Sequence, residues 1–184
     1  SAHQRRIPLL LTILALIVLA IAIVLVFAST RPATFRVERS GSIGAPPEKV
    51  FALIEDFHKW TWWSPWENLD PDLQRTYVRA EKGRGATYAW QGNAKAGEGR
   101  MEFLEATPSS RVLIKIDFAK PFEAHNQVDF AITSEGGGSR VAWSMTGPQA
   151  FMMKVMCLFM NMDNLVGKDF EKGLASLKAV AEQA

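Results

Sequence analysis

Three stretches in the middle of the chain constrain its fold more than any other feature. In "RVLIKIDF", Val112, Ile114, Ile116 and Phe118 take alternate positions; "QVDFAITS" repeats the pattern with Val128, Phe130 and Ile132, and "RVAWSMTG" with Val141, Trp143 and Met145. A period of two puts these side chains on one side of a pleated strand, so each stretch predicts a strand with one buried face, as in an antiparallel sheet. Weaker alternation predicts further strands over residues 75–80, 87–92 and 99–106. Turn residues punctuate the series: Gly83 and Gly85, Gly92 and Asn93, Pro108 before two serines, Lys120 before Pro121, and Gly136 to Gly138.

Upstream, "TFRVERSGSI" carries Phe35, Val37 and Ile43 as a first strand, stopped by Ala45, Pro46 and Pro47. Proline is tolerated in the first turn of a helix, and Val50, Phe51 and Ile54 recur at helical spacing, which predicts a short helix over 47–55. Downstream the period changes. Val155, Phe159, Met162, Val166, Phe170, Leu174, Leu177 and Ala181 recur every three or four residues between 149 and 182, a long amphipathic helix. Asn161, Asn164 and Gly167 are poor helix formers, so a kink is expected among them. One long helix cannot cover the whole apolar face of a curved seven-stranded sheet, and a cavity is expected between them.

Residues 7–28 read "IPLLLTILALIVLAIAIVLVFA", 22 positions without a charge. That length crosses a hydrocarbon core, whereas the apolar part of a secretory signal is shorter. An uncleaved anchor is therefore preferred to a signal cleaved after "VFA", giving an N-terminal tail and anchor over 1–30 and a body over 31–184. Arg5 and Arg6 precede the span while Arg31, Arg36 and Arg39 follow it, so the flanking charge does not settle orientation. A short cytoplasmic tail with an exported body is the preferred arrangement.

Composition narrows the function classes. The chain has 21 basic and 19 acidic side chains, and apart from Arg5 and Arg6 the two signs balance. A balanced body lacks the basic face that nucleic acid requires. The single Cys157 excludes an internal disulfide, and neither His58 nor His125 belongs to a zinc-binding spacing. No nucleophile elbow and no phosphate loop is present. No cofactor or metal is expected, and Glu67, Asp70 and Asp72 are expected in a solvated loop.

Two stretches stand out. "WTWWSPWENLD" holds Trp60, Trp62, Trp63 and Trp66, four of six tryptophans. A membrane belt and a cation cage are weaker readings than core packing by some indoles and pocket-wall packing by others. "FMMKVMCLFM" concentrates methionine, as ordinary core or as a deformable lid over the cavity.

With these residues in view, the chain resembles the helix-grip superfamily, which includes StAR-related lipid-transfer domains, birch-pollen-allergen-like proteins and bacterial polyketide cyclases. The resemblance spans about residues 34–182. It rests on "IGAPPEKVFALIEDFHKW", "WSPWENLDP", "GRGATYAWQGNAKAGEGRMEF" and "DFEKGLASLKAVAE". In particular the chain is similar to the polyketide-cyclase-type bacterial proteins with one N-terminal membrane helix, which would place it in a bacterial inner membrane. The resemblance implies an α+β helix-grip fold, a curved antiparallel sheet of about seven strands around a long C-terminal helix, with an apolar small-molecule pocket. No catalytic residue is carried over.

Alternation or the resemblance directs Trp63, Trp66, Trp90, Met101, Phe103, Phe118, Trp143 and Met160 toward that pocket. The leading functional reading is a membrane-anchored binding domain for a hydrophobic small molecule or lipid. A cyclase or aromatase-like enzyme is the alternative, with His125, Glu123 or Tyr88 as the available acid–base groups. The third reading is an interaction module that regulates a membrane protein; the sequence identifies no protein partner.

Overall fold

The computed structural model describes residues 2–159 and 161–183, with the side chains of residues 2–8 and 162 left aside. Cα packing divides the chain into two compact units, residues 1–33 with 149–161, and residues 34–148 with 162–184.

In the larger unit, seven strands form one antiparallel sheet in the order β1-β7-β6-β5-β4-β3-β2. They are β1 (Thr34–Ile43), β2 (Gln74–Val78), β3 (Thr87–Gln91), β4 (Glu98–Thr107), β5 (Arg111–Lys120), β6 (Ala124–Glu135) and β7 (Gly138–Pro148). Between β1 and β2 lie α2 (Pro47–Ile54) and a 3-10 helix (Phe57–Trp62). The last strand is followed in this unit by α4 (Met162–Gln183). Register shifts in β4, at Glu98/Gly99 and Phe103/Glu105, are irregularities of the kind that bend a strand. Gly136 and Gly137 both have positive φ, the conformation that a tight turn between twisted strands requires, and they set the pairing of Glu135 with Gly138.

The concave face carries the expected alternation. Val112, Ile114, Phe130, Val141 and Trp143 are buried, and α4 closes over them with Phe170, Leu174, Leu177 and Ala181. Arg39 projects from β1 to α4, where its guanidinium donates to Asp163 at 2.9 Å and Glu171 at 2.9 Å. Both carboxylates hold Arg39 above its ordinary pKa.

The C-terminal helix departs from expectation. Instead of one kinked helix there are two, α3 (Phe151–Phe159) and α4, and they belong to different units. The covering helix is α4 alone. In the smaller unit α3 packs against α1 (Ala2–Ser29) and buries none of its own residues, so the methionine stretch is not ordinary core.

Candidate functional site

The tryptophan stretch is positioned by a helix end. The last four carbonyls of an α-helix have no partner within it and must find donors elsewhere. All four in α2 are satisfied by the residues that follow. Phe51 O accepts from Glu55 N at 2.9 Å, Ala52 O from Lys59 Nζ at 2.9 Å, Leu53 O from Trp63 Nε1 at 3.1 Å and Ile54 O from Trp60 Nε1 at 2.9 Å. Two indoles thus close the helix while their rings enter the core, and Trp62 between them is left exposed.

From this anchor an aromatic chain crosses the concave face. Trp63 meets Trp143 edge-on at 5.7 Å, Trp66 meets Trp143 at 5.5 Å and Phe170 at 6.0 Å, and Trp143 stacks on Phe170 at 4.3 Å. Trp63, Phe103 and Trp143 face inward as expected but are covered by neighbouring side chains rather than by open space. Trp143 Nε1 is buried with no hydrogen-bond partner among the described residues.

Burial decreases along four neighbouring strands toward one end of that face. On β5, exposure rises from zero at Val112 and Ile114 to 7% at Ile116, and Phe118 beyond is half-buried. On β6, Phe130 is fully buried while Val128 and then Asn126 are less so. On β7, Val141 and Trp143 give way to Met145, and on β4 Phe103 gives way to Met101. The open end is completed by half-buried Trp90, which meets Phe118 edge-on at 5.7 Å. Trp90 lies across Gly99, where an added Cβ would come within 2.4 Å of the indole, so any larger residue would displace it. Of the residues expected to form a wall, Trp90 and Phe118 are half-buried here and Met101 keeps 7% of its surface; Trp66, also half-buried, sits instead against Trp143 and Phe170, and Met160 lies outside the described residues. Met145 is not on that list, and Asn126, with His125, is a residue the sequence offers only as a polar contact within a pocket. Asn126 faces inward and its amide donates to Met145 Sδ at 3.7 Å. Period-two alternation marks both as inward, but not which inward residues stay uncovered.

Polar groups under and around the face differ from expectation. Glu67 and Asp70 are buried instead of lying in a solvated loop. Glu67 accepts from Tyr88 Oη at 2.8 Å and from Arg75 Nε at 2.7 Å. Burial, and then the Glu67 carboxylate, push the Tyr88 phenol far above the ordinary tyrosine range. Asp70 accepts from the backbone N–H groups of Asp72 and Asn93, tying the loop to the β3–β4 turn. His125 is on the opposite, convex face, paired with Asp117 at 2.7 Å and Glu123 at 3.3 Å. Of the three groups weighed for acid–base work, two are therefore outside, and the Tyr88 hydroxyl is engaged as the donor of a structural hydrogen bond to Glu67. Among the described residues, no cluster of three or more His, Cys, Asp or Glu side chains is arranged to hold a metal ion.

Comparison with known proteins places this geometry. Solved structures of the same fold include protein CV1439 from Chromobacterium violaceum (TM-score 0.57, 16% identity, covering 83% of this chain and 99% of that one). The Aha1 dimer from Colwellia psychrerythraea is similar at TM-score 0.58 and 15% identity, over 80% of this chain and 96% of that one. Ara h 8.0201 is similar at TM-score 0.57 and 12% identity, over 82% and 99%. At such identities the likeness establishes the fold alone. No curated protein matches the sequence. The family model described as "Polyketide cyclase / dehydrase and lipid transport" matches residues 34–182, the whole of the sheet and its covering helix, and the chain belongs to that family.

Proposed function

We propose that the body is a binding domain for a hydrophobic small molecule or lipid, held at a membrane by α1. The observation that carries this reading is the graded burial of the concave face. Apolar side chains that point inward are covered completely at one end and less so at the other, where Trp90 and Phe118 are half-buried and the neighbouring Met101 and Met145 keep 7% and 8% of their surface. Covering that surface with an apolar guest would contribute roughly 25 cal/mol per Å², before the costs of association. Asn126 offers the one buried side-chain amide there, suited to a single polar group on the guest. The family description, which includes lipid transport, agrees with such a ligand. For the anchor, the support is a window of α1, Leu9–Ser29, long and apolar enough to cross a bilayer, with nearly all of its side chains left uncovered by the protein. A signal sequence passes the same test, and N-terminal sequencing of the mature protein separates the two.

Native mass spectrometry of the full chain, released from detergent micelles in the gas phase, tests the binding reading. The expected result is a one-to-one adduct of defined mass that is depleted in Trp90→Ala and in Phe118→Ala. Protein without adduct, or an adduct indifferent to both substitutions, would overturn it.

A further inference from the structure

The helix α3 is built inside out. At about 100° per residue, Phe151, Val155, Phe159, Met152 and Met156 fall within one arc of about 140°. Four of these are its most exposed side chains: Phe159 is 75% exposed, Met152 69%, Phe151 48% and Met156 38%. A helix facing water presents its polar side outward. Here the only charge, Lys154, lies on the opposite side and is turned inward, its Nζ donating to Arg31 O at 3.0 Å. Outside α1, the other exposed large apolar residues, Trp62, Leu69, Val78, Phe122 and Leu165, come from separate segments and need no such explanation.

What covers this face follows from its neighbour. Within the smaller unit α3 packs on α1, and Gln149 N donates to Ala33 O at 2.7 Å, which holds the start of α3 beside the last turn of α1. On α1 the side chains from Leu9 to Phe27 are almost all exposed, so the apolar surface of α3 continues that of the candidate span. Arg31 follows the span, its guanidinium 4.9 Å from the Phe27 ring, and with Lys154 supplies cations where lipid headgroups would begin. We propose that α3 lies in the membrane–water interface beside the end of the anchor, with Phe151, Met152, Met156 and Phe159 in the lipid. This rests on reading α1 as an anchor. It gives the methionine stretch a role as a second, in-plane attachment, and the occupant of its exposed face is a bilayer surface.

Single cysteines at positions 152, 156 and 159 in a Cys157→Ser background, each carrying an environment-sensitive fluorophore, test this in the full chain. The chain is reconstituted in vesicles of phosphatidylcholine and phosphatidylglycerol, with and without brominated acyl chains. A label at position 16, in the middle of α1, serves as the reference. An interfacial helix sits about 5–10 Å into the headgroup region, so roughly twofold quenching by brominated lipid is expected at 152, 156 and 159, as at 16. Quenching at 16 with water-exposed labels on α3 would overturn the inference and leave the anchor standing. Absence of quenching at 16 would remove the anchor and the inference together. Labels on α3 shielded from water but not quenched by lipid, with cross-linking of Met152→Cys between copies, would assign the face to a second copy and also overturn it.

Discussion

The indole of Trp143 lies flat on the ring of Phe170, with centroids 4.3 Å apart and planes 8° from parallel. This pair joins the middle of β7 to the middle of α4, and Trp63 and Trp66 meet the same indole edge-on. It is therefore the point where sheet, loop and covering helix share one contact.

Replacement of Trp143 by alanine is expected to lower unfolding free energy by about 3–5 kcal/mol, because it removes a fully buried indole and leaves a cavity. Trp143→Phe should cost much less, since it keeps an aromatic surface for Phe170 and removes an N–H that has no partner among the described residues. Urea denaturation followed by circular dichroism measures both. Equal costs for the two variants would contradict this account.

Gly173 on α4 sits against the same indole. Alanine in a helix is ordinarily better than glycine by about 1 kcal/mol. At this position an added Cβ would come within 2.5 Å of the Trp143 ring and 3.2 Å of Pro65 Cδ, so Gly173→Ala is expected to destabilise the protein despite its better propensity. In a Trp143→Ala background the sign should reverse. The thermal unfolding midpoints of the four proteins in that cycle provide the check.

Both tyrosines of the chain, Tyr77 and Tyr88, are held above the ordinary phenol range, first by burial and then by Glu67. A phenol whose folded pKa is raised contributes its full stability below the unfolded pKa and loses it as pH climbs toward the folded value. Phenolate absorbance should thus stay low above pH 10 in the native protein and appear with alkaline unfolding. Glu67→Ala removes the acceptor of Tyr88 and the partner of Arg75, and is expected to cost about 2–3 kcal/mol, below the usual figure for a buried pair because Arg75 keeps some water. Glu67→Gln should cost less, as its amide oxygen still accepts from Tyr88.

On the convex face, hydrogen bonding to Asp117 raises the His125 pKa above 6.5; desolvation opposes this, and a weaker hydrogen bond to Glu123 adds to it. Asp117 is lowered: burial acts against its charge, but hydrogen bonds from Lys115 and His125 outweigh it. The His125 contribution is present below its unfolded pKa and fades as pH rises through the folded one. Nuclear magnetic resonance titration of the imidazole should give a midpoint above 6.5 that falls in Asp117→Asn. An unchanged midpoint in that variant would show the pairing is not formed in solution.

Much of the fold was legible because its signals are local. Alternation from Val112 to Phe118 and from Val141 to Met145 is a property of a strand's own pleat, and it identified which side chains face inward without knowledge of what they face. The same holds for the helical spacing of Phe170, Leu174, Leu177 and Ala181 on α4. The poor helix formers near Asn161 marked a break, but a break does not say which neighbour each half will choose, and α3 went with α1.

The sequence by itself determined the pleat, the turns, the apolar N-terminal helix and the inward set on each strand, since these depend on backbone geometry and on neighbours a few residues away. Tertiary structure alone decided that Trp60 and Trp63 close the end of α2, that Glu67 is buried between Tyr88 and Arg75, and that Trp143 is sealed while Phe118 is not. Each of those outcomes depends on a partner in another element of the fold, beyond the reach of local periodicity. Local periodicity shows the direction a side chain takes from its own backbone, whereas its burial is set by whatever the rest of the chain brings to that spot.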